Sequence, residues 1–270
     1  MKLHFLKKQR LCLALAVSLI WISCAGGKDA PKTDSRAQTA PYPLVTVNSS
    51  IALSPEQGET GPRIALSLSL LDSAEDEPLQ ELLYAGVSPQ EYADNLVQTY
   101  RNFYQEILAI TENVSEPPSP AFDWNYREVH GIRVYPQLLI IDRTKEYYTG
   151  GAHGMVETDY FLIDSTEKKQ LHLRDLFQDG TAGALQERVE AALRVYSGLE
   201  EGAPLSNGYY FNDSAEPPDN FYLTPQGLTF HWNPYEIAPY SVGPVEITVP
   251  YADVEELFNS LGKSLKSQIN

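Results

Sequence analysis

Cysteine is almost missing: the 270 residues contain two, Cys12 and Cys24. Both lie in the first 24 positions, so the rest of the chain has no disulfide, no thiolate metal site and no cysteine nucleophile. Basic residues are scarce as well, 20 Lys and Arg against 36 Asp and Glu, for a net charge of −16. A field of that sign repels phosphate backbones and anionic headgroups, which argues against nucleic acid as a partner and favours basic ones. Several local chemistries are absent too. There is no His-Glu-x-x-His, no Gly-x-Ser-x-Gly and no phosphate-cradling glycine loop. Paired carboxylates stay open, because among 36 acidic residues no pair stands out.

Long apolar runs are also lacking, except from Leu11 to Ile22. That run comes after Lys2, Lys7, Lys8 and Arg10 and precedes Ser23-Cys24-Ala25-Gly26-Gly27. It is short for a bilayer span, and its small-residue exit reads as a cleaved export signal over residues 1–23. Ile22-Ser23-Cys24 resembles a bacterial lipobox, with Trp21 where Leu is usual, which implies lipidation of Cys24. The expected location is the bacterial cell envelope, with a lipid as the only link to the membrane. All four basic residues of the leader would be lost, leaving 16 basic against 36 acidic residues, a net −20. Residues 24–40, rich in Ala, Lys, Thr, Ser and Gln, bury no core and read as a flexible tether.

Past residue 40 the chain is patterned. Residues 44–53 and 63–70 alternate like two strands of a hairpin. An acidic, irregular patch at 72–76 precedes Ser88-Pro89, a helix start. Tyr92, Leu96, Tyr100, Phe103, Ile107 and Ile110 then recur at helical spacing to about Thr111, as a core face. Strands are expected at 122–129 and 133–147, then at 158–164 and 170–173. A helix after Phe177, a hairpin over 221–230, a strand over 244–250 and a last helix over 251–265 complete the chain. The fold class is α+β, with antiparallel sheets carrying helices on one face, in subdomains 41–146 and 147–270.

The most distinctive stretch is Tyr147-Tyr148-Thr149-Gly150-Gly151-Ala152-His153-Gly154, expected to be a tight, crowded bend with one imidazole at its tip. With Leu171-x-Leu173-x-Asp175-Leu176-Phe177, and with Asn233-Pro234-Tyr235-Glu236-Ile237-Ala238-Pro239-Tyr240, it resembles the C-terminal extracytoplasmic domain of the anti-sigma factor RsiV. That domain also accompanies the PdaC peptidoglycan deacetylases. The likeness covers about 150–265, and 41–146 resembles the companion domain that precedes it. In RsiV the domain recognises lysozyme, which implies an envelope binding module here. Neither the sigma-binding segment nor the deacetylase domain has a counterpart in this sequence, so those activities are not implied.

Two places compete for function. His153 is a lone histidine, but Glu157 and Asp159 lie beyond it on one strand face and are candidates to join it in acid-base work. The binding candidates are Tyr148, Gly150, Gly151 and His153 in the bend and Tyr235, Glu236 and Tyr240 in the proline-framed loop, aromatic and acidic groups that suit a sugar or a basic side chain. The aromatic loop Tyr209-Tyr210-Phe211-Asn212, with Glu216 to Asn220, hints at an interface. No cofactor or metal is implied. The leading expectation is a lipoprotein that binds a basic lysozyme-like muramidase or peptidoglycan. A glycan-directed hydrolase using His153 with Glu157 or Asp159, and a purely structural envelope lipoprotein, are the alternatives.

Overall fold

A computed structural model describes residues 42–54, 61–73, 75–111 and 123–269. The expected leader, Cys24 and the whole of the expected tether over 24–40 lie outside them. Among the described residues no helix is long and apolar enough to cross a membrane.

Period-two burial builds the first elements. In β2 (Arg63–Leu71) Ile64, Leu66, Leu68 and Leu70 are buried while Ala65 and Ser67 face water, and β1 (Leu44–Ala52) pairs with it antiparallel, as expected. The acidic patch after β2 leads into a helix not expected from the sequence, α1 (Glu77–Tyr84). Its signals are Asp76, whose carboxylate accepts from the Leu79 amide, and Pro78 in the first turn. α2 (Pro89–Thr111) starts where expected, with the Ser88 hydroxyl accepting from the Glu91 amide. Its most buried line is Ala93, Val97 and Tyr104, beside the expected aromatic stripe. The small Ala93 and Val97 let the helix approach the sheet, so the larger residues flank the contact, and Phe103 and Ile110 are 42% and 74% exposed.

The two helices cross the sheet and return the chain to β3 (Trp124–Val134), which runs parallel to β2, the one parallel pairing among the described strands of this sheet. β3 does not stop at Val129 but continues to a turn at 135–137 and into β4 (Leu138–Tyr148). Gly131 stays in the strand because Asp142 lies against it, where an added Cβ would come within 2.6 Å of the carboxylate. β5 (Met155–Asp164) and β6 (Lys169–Leu171) complete a six-stranded sheet in the order β1-β2-β3-β4-β5-β6.

Beyond it come α3 (Leu173–Leu176), α4 (Ala182–Tyr196) and an antiparallel sheet of β7 (Phe221–Leu223), β8 (Gly227–Trp232) and β9 (Val245–Pro250). The expected last helix is divided into α5 (Tyr251–Val254) and α6 (Ser260–Ile269). Phe258 breaks it by taking an extended conformation, fully buried, with its ring 4.9 Å from that of Phe177.

The architecture is α+β. Alternation along β4 sends Leu138 and Ile140 into a core with the C-terminal elements, and Leu139 and Ile141 into a core with α1 and α2. Helices therefore pack against both sides of the large sheet. The boundary expected at 146/147 falls inside β4, so the two halves share one sheet. The division between cores runs through the thickness of that sheet.

Candidate functional site

The glycine bend joins β4 to β5. Gly150 and Gly151 have φ of +97° and +93°, and nothing lies within 4 Å of a Cβ added at either. The bend is tight but open, and the glycines are needed for backbone angle rather than for space. The Tyr148 hydroxyl donates to the Gly151 carbonyl at 3.0 Å. His153 is exposed, with Nδ1 2.9 Å from the Gly154 carbonyl. A carbonyl can only accept, so Nδ1 bears the proton.

The structure brings this bend to the proline-framed loop. His153 stacks on Tyr240 with ring centres 3.7 Å apart and planes 13° from parallel, and the Tyr240 hydroxyl donates to the Gly154 carbonyl at 2.8 Å. The Tyr235 hydroxyl stands 3.5 Å from His153 Nε2. Tyr235 is half exposed and has φ +72°, a left-handed conformation that strains a non-glycine residue. Glu236 folds back to accept from the Asn233 amide at 2.8 Å. Of the residues singled out by sequence, His153, Tyr235 and Tyr240 thus meet.

Glu157 and Asp159 do not join them. Both sit on the β5 face opposite to that of Tyr160 and Leu162, facing β4 neighbours Tyr147 and Arg143. Glu157 accepts from the Tyr147 hydroxyl at 3.2 Å. Asp159 is held by Arg143 Nη2 at 2.7 Å, with Lys145 Nζ at 3.7 Å. His153 lies in the bend ahead of β5 and turns to Tyr240 and Tyr235, while both carboxylates are taken up by β4 side chains, and the expected imidazole–carboxylate centre is not formed.

Two asparagines, Asn233 at the head of the proline-framed motif and Asn220 at the end of the 216–220 segment, set the loop in place, a role that the sequence does not single out. β6 is short, so the outer edge of β5 before Phe161 is left without a strand. There the Thr158 amide donates to Asn233 Oδ1 at 2.7 Å and the Tyr160 amide to Asn220 Oδ1 at 2.8 Å, while Asn220 Nδ2 donates to the Thr158 carbonyl at 2.8 Å. These asparagines stand in for a missing strand.

Asn220 and Glu236 also line a groove of about 960 Å³ between the 212–220 loop and the 232–237 loop. Asp213, Glu216, Asp219 and Glu236 line it, Trp232 lies at its base, and no Lys or Arg contributes. Asp213 accepts hydrogen bonds from the Ser206 side chain and amide, which hold its carboxyl below the usual range. Asp219 accepts from His172 Nδ1 at 2.5 Å and from the Leu173 amide at 2.7 Å. Exposed Tyr209 and Phe211 precede one wall and Tyr235 the other. Tyr209 shares the left-handed conformation of Tyr235, with φ +68°. The groove unites two segments that are separate in sequence.

A second polar cluster is sealed inside. Glu128, fully buried on β3, contacts His130 Nε2 at 2.7 Å and accepts from the hydroxyls of Tyr126 at 2.5 Å and Tyr92 at 2.8 Å. Burial pushes its carboxyl up, but hydrogen bonds from His130, Tyr126 and Tyr92 outweigh that and hold it below the usual range. The Tyr126 and Tyr92 hydroxyls are raised, by burial first and by the Glu128 charge second. The signal is legible in the sequence: Trp124, Tyr126, Glu128 and His130 alternate onto one face. Ending the strand at Val129 hides His130. With Glu128 and His130 closed to solvent, the cluster has no opening for a substrate.

Residues 174–252 match the family model described as a protein of unknown function, DUF3298. That segment contains the groove and the 233–240 loop. No curated protein matches the chain. Among solved structures, a DUF3298 family member from Bacteroides fragilis is 24% identical with a TM-score of 0.70, covering 85% of this chain and 96% of that one. A DUF3298 family protein from Pseudomonas aeruginosa is 20% identical with a TM-score of 0.56, covering 82% and 96%. At these identities the likeness bears on the fold, which is the same α+β architecture.

Proposed function

We propose that this chain is an RsiV-like extracytoplasmic module, anchored by a lipid at Cys24, that binds a basic lysozyme-like muramidase. The observation behind this reading is the groove: four carboxylates and no cation around a tryptophan base, with three exposed aromatics beside it. Such a surface suits a cationic partner, because acidic walls steer basic proteins in and aromatics supply desolvated contact once they arrive. The overall charge of −16 acts in the same direction.

Peptidoglycan is the second reading, supported by the His153–Tyr240 stack with Tyr235 alongside, an aromatic platform against which a sugar ring can pack. The hydrolase alternative has lost its geometric motive, since Glu157 and Asp159 point elsewhere.

The test is binding of the purified protein to a c-type lysozyme and to purified peptidoglycan, at low and at physiological salt. Lysozyme binding whose association rate falls as salt rises, with loss of muramidase activity, is the expected result. Binding to peptidoglycan alone would replace this reading with the second. Binding to neither would leave a structural envelope lipoprotein.

A further inference from the structure

The large sheet has two long edges, and the protein treats them differently. The β5 edge is closed by β6, Asn220 and Asn233. β1, nine residues long, is the terminal strand at the other side, and it contains neither a charged residue nor a proline, the usual means of blunting an edge.

Its hydrogen-bonding parity can be read from its pairing with β2. The Leu53 amide donates to the Pro62 carbonyl at 3.0 Å and the Asp72 amide to the Pro43 carbonyl at 2.8 Å. In an antiparallel pair the N–H and C=O of one residue point to the same side, and the side alternates along the strand. Odd-numbered residues from 43 to 53 therefore face β2, and Leu44, Thr46, Asn48, Ser50 and Ala52 face outward. Two contacts agree: the Ser50 carbonyl accepts from Arg63 Nη2 at 2.5 Å and the Ala52 carbonyl from Arg101 Nε at 3.2 Å. Those guanidiniums close the C-terminal end of the edge. Among the described residues nothing pairs with the outward amides and carbonyls of Leu44, Thr46 and Asn48.

We infer that β1 is a self-association edge, on which a second copy of this chain pairs antiparallel about a two-fold axis at Thr46. Three open residues suffice for this symmetry. Leu44 meets Asn48 of the other copy, Thr46 meets Thr46, and Asn48 meets Leu44, so each pair exchanges two backbone hydrogen bonds. The register stops where Arg63 occupies the Ser50 carbonyl.

Charge supports the same arrangement. The N-terminal end of β1 adjoins Asp72, whose amide donates to the Pro43 carbonyl, and Asp76, which accepts from the Tyr42 hydroxyl and is paired with Lys168. The C-terminal end adjoins Arg63 and Arg101, with Asp123 at the Arg63 amide. The two ends have opposite sign, and an antiparallel two-fold sets the basic end of each copy against the acidic end of the other. A parallel pairing would oppose like charges.

The test uses light scattering and sedimentation of the full chain in mild detergent over a dilution series. Wild type is expected to pass from dimer to monomer on dilution. Thr46 faces its own copy, so Thr46→Lys and Thr46→Glu should each weaken dimerisation by about tenfold or more, and an equimolar mixture of the two should restore it. Restoration also shows that both variants fold. Hydrogen exchange gives a second measurement: the Leu44, Thr46 and Asn48 amides should be protected in concentrated protein and exchange freely when dilute. A monomer at every concentration, association indifferent to both substitutions, or protection of these amides that does not change with dilution would each overturn the inference. The last would mean that the edge is covered within one chain.

Discussion

Glu128 and His130, two residues apart on β3, point to the same buried face and meet there at 2.7 Å. A fully buried carboxylate without partners would be costly, so its imidazole and two tyrosine donors are a condition of the fold. Replacing Glu128 by Gln removes the charge while those donors remain, and should destabilise the protein by on the order of 3 kcal/mol in urea unfolding.

The same carboxyl sets an acid limit. Its folded value lies below the ordinary 4.5. Its stabilisation is therefore complete above that value and is lost as pH falls through the lower folded one. Wild type should lose stability progressively below about pH 4.5, and Glu128→Gln should show a shallower decline over the same window when midpoints are compared.

The asparagine closure of β5 is a local device with a local readout. Asn220→Ala leaves the Tyr160 amide and the Thr158 carbonyl without a partner at a half-buried edge, and should cost about 1–3 kcal/mol. Faster hydrogen exchange at Tyr160, with the β3–β4 amides unchanged, distinguishes loss of this clamp from global weakening.

Gly227 opens β8 with its Cα pressed on β9, where an added Cβ would lie 2.1 Å from the Val249 carbonyl. Backbone cannot yield as a flexible side chain would. Gly227→Ala should therefore cost about 3 kcal/mol, while Gly183→Ala on α4, with nothing within 4 Å, should be neutral or slightly stabilising. Thermal midpoints of the two variants check this.

Glu216 lines the groove with its carboxylate free of any hydrogen bond or ion pair among the described residues, unlike Asp213, Asp219 and Glu236. Glu216→Lys should leave stability within about 0.5 kcal/mol and slow association of a basic muramidase several-fold, with a flatter salt dependence. Unchanged association kinetics would remove the groove from the proposed binding.

The sequence is most informative where a residue's fate depends on near neighbours. Alternation marks β1 and β2, and Ser88-Pro89 marks the start of α2 to the residue. It is least informative where a distant partner decides. Gly131 continues a strand because Asp142 lies over it, and Phe258 interrupts a helix because Phe177 receives it. α1 is hidden because its acidic lead-in resembles a loop unless Asp76 is read as a cap.

The candidate site divides the same way. Composition and motif alone single out the Gly-Gly-Ala-His-Gly bend and the Asn-Pro-Tyr-Glu loop, since glycine and proline set what the backbone can do wherever they stand. That His153 stacks on Tyr240 and turns from Glu157 and Asp159 was decided by tertiary structure, because the packing of the 233–240 loop against the bend chooses which distant groups meet. So was the groove, whose walls are separated in sequence by β7 and β8 and become neighbours only when those strands pair. The acidity of the surface was written in the composition; its concentration around Trp232 required the fold.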